Sequence, residues 1–253
     1  MSERDIYPAG VPCWVETLQA DGGAAQAFYA GLFGWEVIGD EEYGVARLRG
    51  LDVAGIGTQI APGLPETWTT HVRVERVEAA AEQAAAAGGT VLLEAFDAEP
   101  AGRLAVIADP AGAPFCVWEA GIREGAMLVN EPGAWAMSAL MTPDTRQAAA
   151  FYETLFGWTT EAFGPVTLLR LAGFVGGEPT QPVPRDVVAV MLEGETAQWG
   201  VDFWVADTDA TAARAAALGG RAIVASHDRP PAFRSAVLAD PAGAVFTVSQ
   251  LLA

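Results

Sequence analysis

The chain has 253 residues, with 14 Lys and Arg against 32 Asp and Glu, for a formal net charge of −18. That balance argues against nucleic acid and anionic membrane surfaces as partners, since both need clustered basic side chains. Hydrophobic residues make up 51%, too many for a disordered chain and enough to build one large core or two small ones. Two cysteines, Cys13 and Cys116, cannot staple a fold of this size. No apolar leader or span of about 18 uncharged apolar residues is visible, so the expectation is a cytoplasmic protein.

In chain order, an apolar strand over 11–18 leads to Asp21. Its carboxylate suits the N-cap of a helix marked by Ala25, Phe28 and Leu32, and Gly34 closes that helix. Strands are expected near 35–38, 43–49, 52–60 and 69–75. An Ala-rich helix to Ala87 then stops at Gly88-Gly89. Strands 104–109 and 114–119 are joined by Asp109-Pro-Ala-Gly112, where Pro fixes φ and Gly permits positive φ.

The same series then repeats. Phe28-Tyr-Ala-Gly-Leu-Phe-Gly-Trp35 returns as Phe151-Tyr-Glu-Thr-Leu-Phe-Gly-Trp158, an offset of 123. Arg103-Leu-Ala-Val-Ile-Ala-Asp-Pro-Ala-Gly-Ala113 returns at 234–244, an offset of 131. The extra residues of the second copy fall between Trp158 and Trp199, with the Pro-rich segment 178–185 as the expected place. The reading is two homologous domains, 8–121 and 133–253, with a linker at 122–132. Helices flanked by several short strands argue for an α+β fold rather than a doubly wound sheet.

The Phe-Tyr…Leu-Phe-Gly-Trp, Gly-Gly and Asp-Pro-x-Gly elements of both copies resemble the vicinal oxygen chelate superfamily. That superfamily includes glyoxalases, bleomycin-resistance proteins and extradiol dioxygenases. The tandem form is similar to actinobacterial proteins described as glyoxalase-like or hydroxylase, a mycobacterial antigen among them. The resemblance implies two tandem glyoxalase-like domains, each a pair of βαβββ modules forming an incompletely closed barrel around a pocket. It also implies a divalent metal held by His, Gln or Glu on the first, fifth and eighth strands.

Those ligand positions fall on Cys13, Thr69 and Cys116 in the first copy and on Ala136, Gly200 and Thr247 in the second. None is His or Glu. Glu178 lies near the fourth-strand position of the second copy. His71 shares the face of Thr69 and has Asp202 as its repeat equivalent. A displaced zinc site of Cys13, His71 and Cys116 stays open, against a reading of His71 as a pocket imidazole and the cysteines as buried hydrophobes. Parity turns Glu16 away from Cys13, towards solvent. His227 reads as a solvated loop residue. The recurring pairs Asp97/Arg103 and Asp228/Arg234 read first as charge pairs.

The expected ligand-binding residues are Cys13, Trp14, Thr69, His71, Cys116, Trp118, Trp135, Met137, Asp202 and Thr247, with no metal and no cofactor. Aromatic and Met side chains around a pocket without ligating groups suit a flat or apolar organic molecule. The expected activity is metal-independent binding of such a molecule, as sequestration or resistance. The rival is a glyoxalase-type lyase or isomerase, or an oxygenase-like tailoring enzyme, with His71 or Asp202 as acid or base. The expected partner is a small molecule. The two domains should dock as an intramolecular pseudo-dimer, and a homo-oligomer stays open.

Overall fold

The computed structural model describes residues 3–59, 65–176 and 183–252. The first half runs β1 (Pro12–Gln19), α1 (Gly22–Phe33), β2 (Glu36–Gly39), β3 (Tyr43–Leu48), β4 (Leu51–Thr58), β5 (Thr67–Arg73), α2 (Val77–Ala86), β6 (Thr90–Ala98), β7 (Gly102–Ala108) and β8 (Pro114–Ala120). The second runs β9 (Trp135–Thr142), α3 (Thr145–Phe156), β10 (Thr159–Phe163), β11 (Val166–Arg170), β12 (Val187–Glu193), β13 (Gln198–Trp204), α4 (Thr208–Ala217), β14 (Arg221–Arg229), β15 (Phe233–Ala239) and β16 (Val245–Leu251). The expected segment 178–185 and Glu178 lie largely outside the described residues, Glu178 wholly so.

Each half is one eight-stranded sheet, ordered β2-β3-β4-β1-β5-β8-β7-β6 and β10-β11-β12-β9-β13-β16-β15-β14. β1 runs parallel to β4 and antiparallel to β5, so two βαβββ modules meet at the β1/β5 seam. The outer strands do not pair with each other, and each barrel stays open. The caps read from sequence form: Asp21 and Asp144 accept first-turn amides, and Gly34 and Gly157 take left-handed conformations at φ 74° and 72°.

Strands β6 and β14 are additions to the sequence reading. Nearly every residue in them is at least partly exposed, because each is an edge strand without a buried face. His227 therefore sits in a strand, exposed, rather than in a loop. Arg103 pairs with Asp97 at 2.5 Å and Arg234 with Asp228 at 2.8 Å, as the recurrence suggested.

The repeated motifs clasp the two halves together. Trp68 Nε1 donates to Tyr29 Oη (2.8 Å), which donates to Asp240 Oδ2 of the other half (2.9 Å); Gln19 Nε2 donates to the same oxygen (2.6 Å). Reciprocally, Trp199 donates to Tyr152 (2.9 Å) and Tyr152 to Asp109 (3.2 Å). Burial next to a carboxylate pushes both phenols well up, so they remain donors. Phe203 packs against Trp68 and Phe33 with ring centroids 5.0 Å apart in each case, and Phe115 packs against Tyr152 at 5.6 Å. These contacts occupy the sheet faces that carry the helices. The opposite face of each sheet forms a cup.

Candidate functional site

A β-bulge decides what lines the first cup. The β1–β5 register shifts between Pro12 and Trp14, so Trp14, not Cys13, stands opposite His71. Glu16 then falls on the same face as Trp14. It is not solvated as parity suggested: its side chain is 13% exposed and lies 3.2 Å from His71 Nε2, itself 1% exposed. Tyr43 Oη donates to Glu16 Oε2 (2.8 Å), and Trp14 Nε1 donates to Tyr43 Oη (3.3 Å). The Arg123 guanidinium covers Trp14 at 5.3 Å from the ring centre. Cys116 is in parallel register with His71, and Trp118 with Arg73.

The charges in this cup sustain one another. Burial alone would lower the His71 pKa, but the neighbouring Cys116 and Glu16 overcome it and hold it up at about 10. Burial would raise Glu16; His71, Tyr43 and Arg123 outweigh that and leave it lowered. The result is a buried ion pair walled in by Trp14, Tyr43 and Trp118. The floor is equally tight: a Cβ on Gly55 would collide with Tyr43 Oη and lie 3.0 Å from the Glu16 Cβ.

The second cup carries smaller groups at most of the positions that fill the first, while Val190 and Leu192 stand where the first has Gly55 and Gly57. Met137 replaces Trp14, Ala139 replaces Glu16, Gly200 replaces Thr69, Asp202 replaces His71, Thr247 replaces Cys116 and Ser249 replaces Trp118. Cross-strand pairing places them together: Met137 opposite Asp202, Ala139 opposite Gly200 and Val190, and Asp202 opposite Thr247. A Cβ on Gly200 would meet nothing closer than the Ala139 carbonyl at 3.9 Å, so the floor is open. Ser249 Oγ donates to Asp202 Oδ2 (2.6 Å) and bonds Ser235 Oγ (2.8 Å). Asp202 Oδ1 is buried and has no hydrogen-bond partner among the described residues, and neither does Trp135 Nε1. Burial raises the Asp202 carboxyl to about 6, against smaller lowering contributions from Ser249 and Arg229. Trp135, Ala136 and Met137 also border a narrow cleft of about 50 Å³, closed on its far side by Arg4, Tyr7 and Phe174.

The structure thus divides the expected ligand residues. Trp14, Thr69, His71, Cys116 and Trp118 line the first cup, and most of them fill it. Met137, Asp202 and Thr247 line the second, with Trp135 at its cleft. Cys13 joins neither set of ring contacts: its fully buried thiol, pushed far up by burial, reaches the His71 carbonyl at 3.6 Å. Sequence reasoning missed Glu16, which the bulge at Cys13 turns into the cup, and Tyr43, which reaches it from β3.

A divalent ion does not fit these residues. In the first cup Glu16 Oε1 is taken up by the ion-pair contact with His71 and Oε2 accepts from Tyr43, while the His71 ring nitrogens, buried without a hydrogen bond, have no second and third ligating group beside them among the described residues. In the second cup Asp202 is the sole carboxylate facing the floor among the described residues. Among the described residues no three His, Cys, Asp or Glu are grouped to hold a metal ion. No helix among them is long and apolar enough to cross a membrane.

Comparison with known proteins follows this geometry. A family model described as a glyoxalase-like domain matches residues 15–118 and 137–249. The protein named "Putative glyoxylase CFP32" of Mycobacterium bovis is 39% identical over 264 residues, spanning 98% of this chain and 97% of its own. The "Anthracycline biosynthesis protein DnrV" of Streptomyces peucetius is 31% identical over 264 residues, spanning 97% and 94%. The Mn(II)-bound glyoxalase from Novosphingobium aromaticivorans superposes with a TM-score of 0.67 at 17% identity, over 97% of this chain and 83% of that one. At that identity the likeness concerns the fold.

Proposed function

The chain belongs to the glyoxalase-like domain family, in the vicinal oxygen chelate superfamily, as two tandem copies, and from that premise we propose that it binds a small aromatic or apolar organic molecule in the cup of its second domain without a metal. One observation carries this reading: Met137, Ala139, Gly200, Asp202 and Ser249 are each smaller than their first-cup equivalents, so the space that Trp14, Trp118 and an ion pair fill in the first cup is left free, with Val190 and Leu192 in place of Gly55 and Gly57 as its apolar wall. Met137, Met141, Val190 and Leu192 offer polarisable, adaptable walls for a flat ring system. Asp202, fixed through Ser249 and Ser235, offers one polar anchor at the floor. The relative named for anthracycline biosynthesis supports a secondary-metabolite ligand, held for sequestration or delivery.

The test is calorimetric titration of EDTA-treated protein with 1-naphthalenemethanol as a flat probe. The expected result is saturable binding that chelator does not alter and that Gly200→Phe abolishes while the thermal melt is kept. Binding that requires added Mn²⁺ or Zn²⁺, or that survives Gly200→Phe, overturns the proposal. A second reading, an acid–base tailoring enzyme, is favoured by Asp202 alone, whose carboxyl burial raises to about 6 and which has a free oxygen. It predicts that a bound ligand is converted and that Asp202→Asn stops conversion without weakening binding.

A further inference from the structure

Among the described residues of the second cup, Asp202 and Trp135 each bury a polar atom without a partner, and of the two only Asp202 carries an ionisable group. Its Oδ2 is held by Ser249, which is held in turn by Ser235. Its Oδ1 is buried with no partner among the described residues. A carboxylate taken from water without a donor on each oxygen is costly, and an ion without a counter-ion costs more. The surrounding elements supply neither. β9 and β16 carry no ionisable side chain, and the flanking residues are Met137, Thr247 and Ser249. β15 contributes Val237 and Ser235 on this face. β5 and β8 approach β13 from the other side, with His71 and Cys116 turned into the first cup. β14 presents Arg229, which acts on Asp202 without forming an ion pair with it, and His227, which is exposed and stands opposite Ser235 across the β14–β15 pair.

We propose that the second cup selects organic cations: an ammonium or similar donor-bearing positive group on a flat apolar body, seated against Asp202 Oδ1 with its apolar part over Gly200, Ala139 and the Met side chains. The inference rests on the binding reading above and adds the charge of the ligand. The proton donor missing at Oδ1 and the missing counter-charge are supplied by one group. The net charge of −18 draws such cations towards the protein and repels anions. The role of Asp202 is then to determine specificity, and Ser249 and Ser235 are positioning residues that keep its free oxygen turned to the floor.

The experiment compares three probes that share one ring system: 1-naphthylmethylamine, 1-naphthalenemethanol and 1-naphthoate. Each is titrated calorimetrically into the full chain at pH 8 and at pH 5. At pH 8 the amine should bind at least tenfold more tightly than the alcohol, and naphthoate weakest. Protonation of Asp202 should remove the amine's advantage at pH 5 in the wild-type protein. Asp202→Asn should remove the amine's advantage over the alcohol at both pH values. Equal affinity of amine and alcohol at pH 8, or preference for naphthoate, overturns the cation inference and leaves the binding reading standing. No binding of any probe overturns both. Should Asp202→Asn fail to fold, the pH comparison repeated in His227→Gln, which takes the β14 imidazole out of the comparison, decides the matter.

Discussion

Two oppositely charged side chains, Glu16 and His71, face each other out of water in the first cup, and their ionisation is tied to folding. Removing one partner strands the other as a buried charge, at a cost of about 3–5 kcal/mol. His71→Ala is therefore expected to lower stability by that order in chemical denaturation, and more than the double change Glu16→Gln/His71→Gln does. The pH dependence has a defined sign. A histidine raised from 6.5 to about 10 on folding contributes fully below about 6.5 and loses that contribution as pH rises towards 10. Glu16, lowered on folding, contributes above its unfolded value of 4.5 and loses that contribution as pH falls further. The pair supports folding best between about 4.5 and 6.5. Melting temperatures measured from pH 5 to 9.5 should decline across the alkaline half in the wild-type protein, and less in the double variant. A flat profile in the wild type would count against the ion pair.

Strands differ between the two cups in how closely they are roofed, and glycine reports the difference. Gly55→Ala pushes a methyl into Tyr43 and Glu16 and should cost about 1–3 kcal/mol through overpacking. Gly200→Ala meets open space and should be neutral or stabilising by up to about 1 kcal/mol, because it restricts the unfolded chain. Equal losses in denaturant titrations of the two variants would contradict the contrast between the cups. The same strands explain what could be read in advance. Phe28-Tyr29, Trp68 and Asp109-Pro-Ala-Gly112 were legible because turn chemistry and helix spacing are local, and their recurrence fixed two domains. The first cup was misread because one extra residue at Cys13 reverses the alternation that parity depends on, hiding Glu16. Strand β6 was missed because its residues face water on both sides and leave no period to detect. The repeat alignment made Asp202 the equivalent of His71, but its unpaired oxygen is a property of three strands meeting, which no single stretch of sequence carries.

At the scale of the whole molecule the two halves share a core. Phe203 of one half lies among Trp68, Phe33 and Trp35 of the other, and Tyr29 and Tyr152 each donate across the seam. Calorimetry should accordingly show one cooperative transition rather than two. Tyr29→Phe removes the hydroxyl that accepts from Trp68 and donates to Asp240, and should cost about 1–3 kcal/mol while keeping that single transition. Resolution into two separate transitions in the wild-type protein would show the halves to be energetically independent. Duplication followed by such fusion has an evolutionary consequence. The half whose cup became solid can anchor the fold, which relieves the hollow half of that duty. Substitutions at Met137, Ala139, Gly200 or Thr247 can then retune which molecule is held with little risk of unfolding the whole, so descendants of one ancestral scaffold can diverge in chemistry while their outline stays the same.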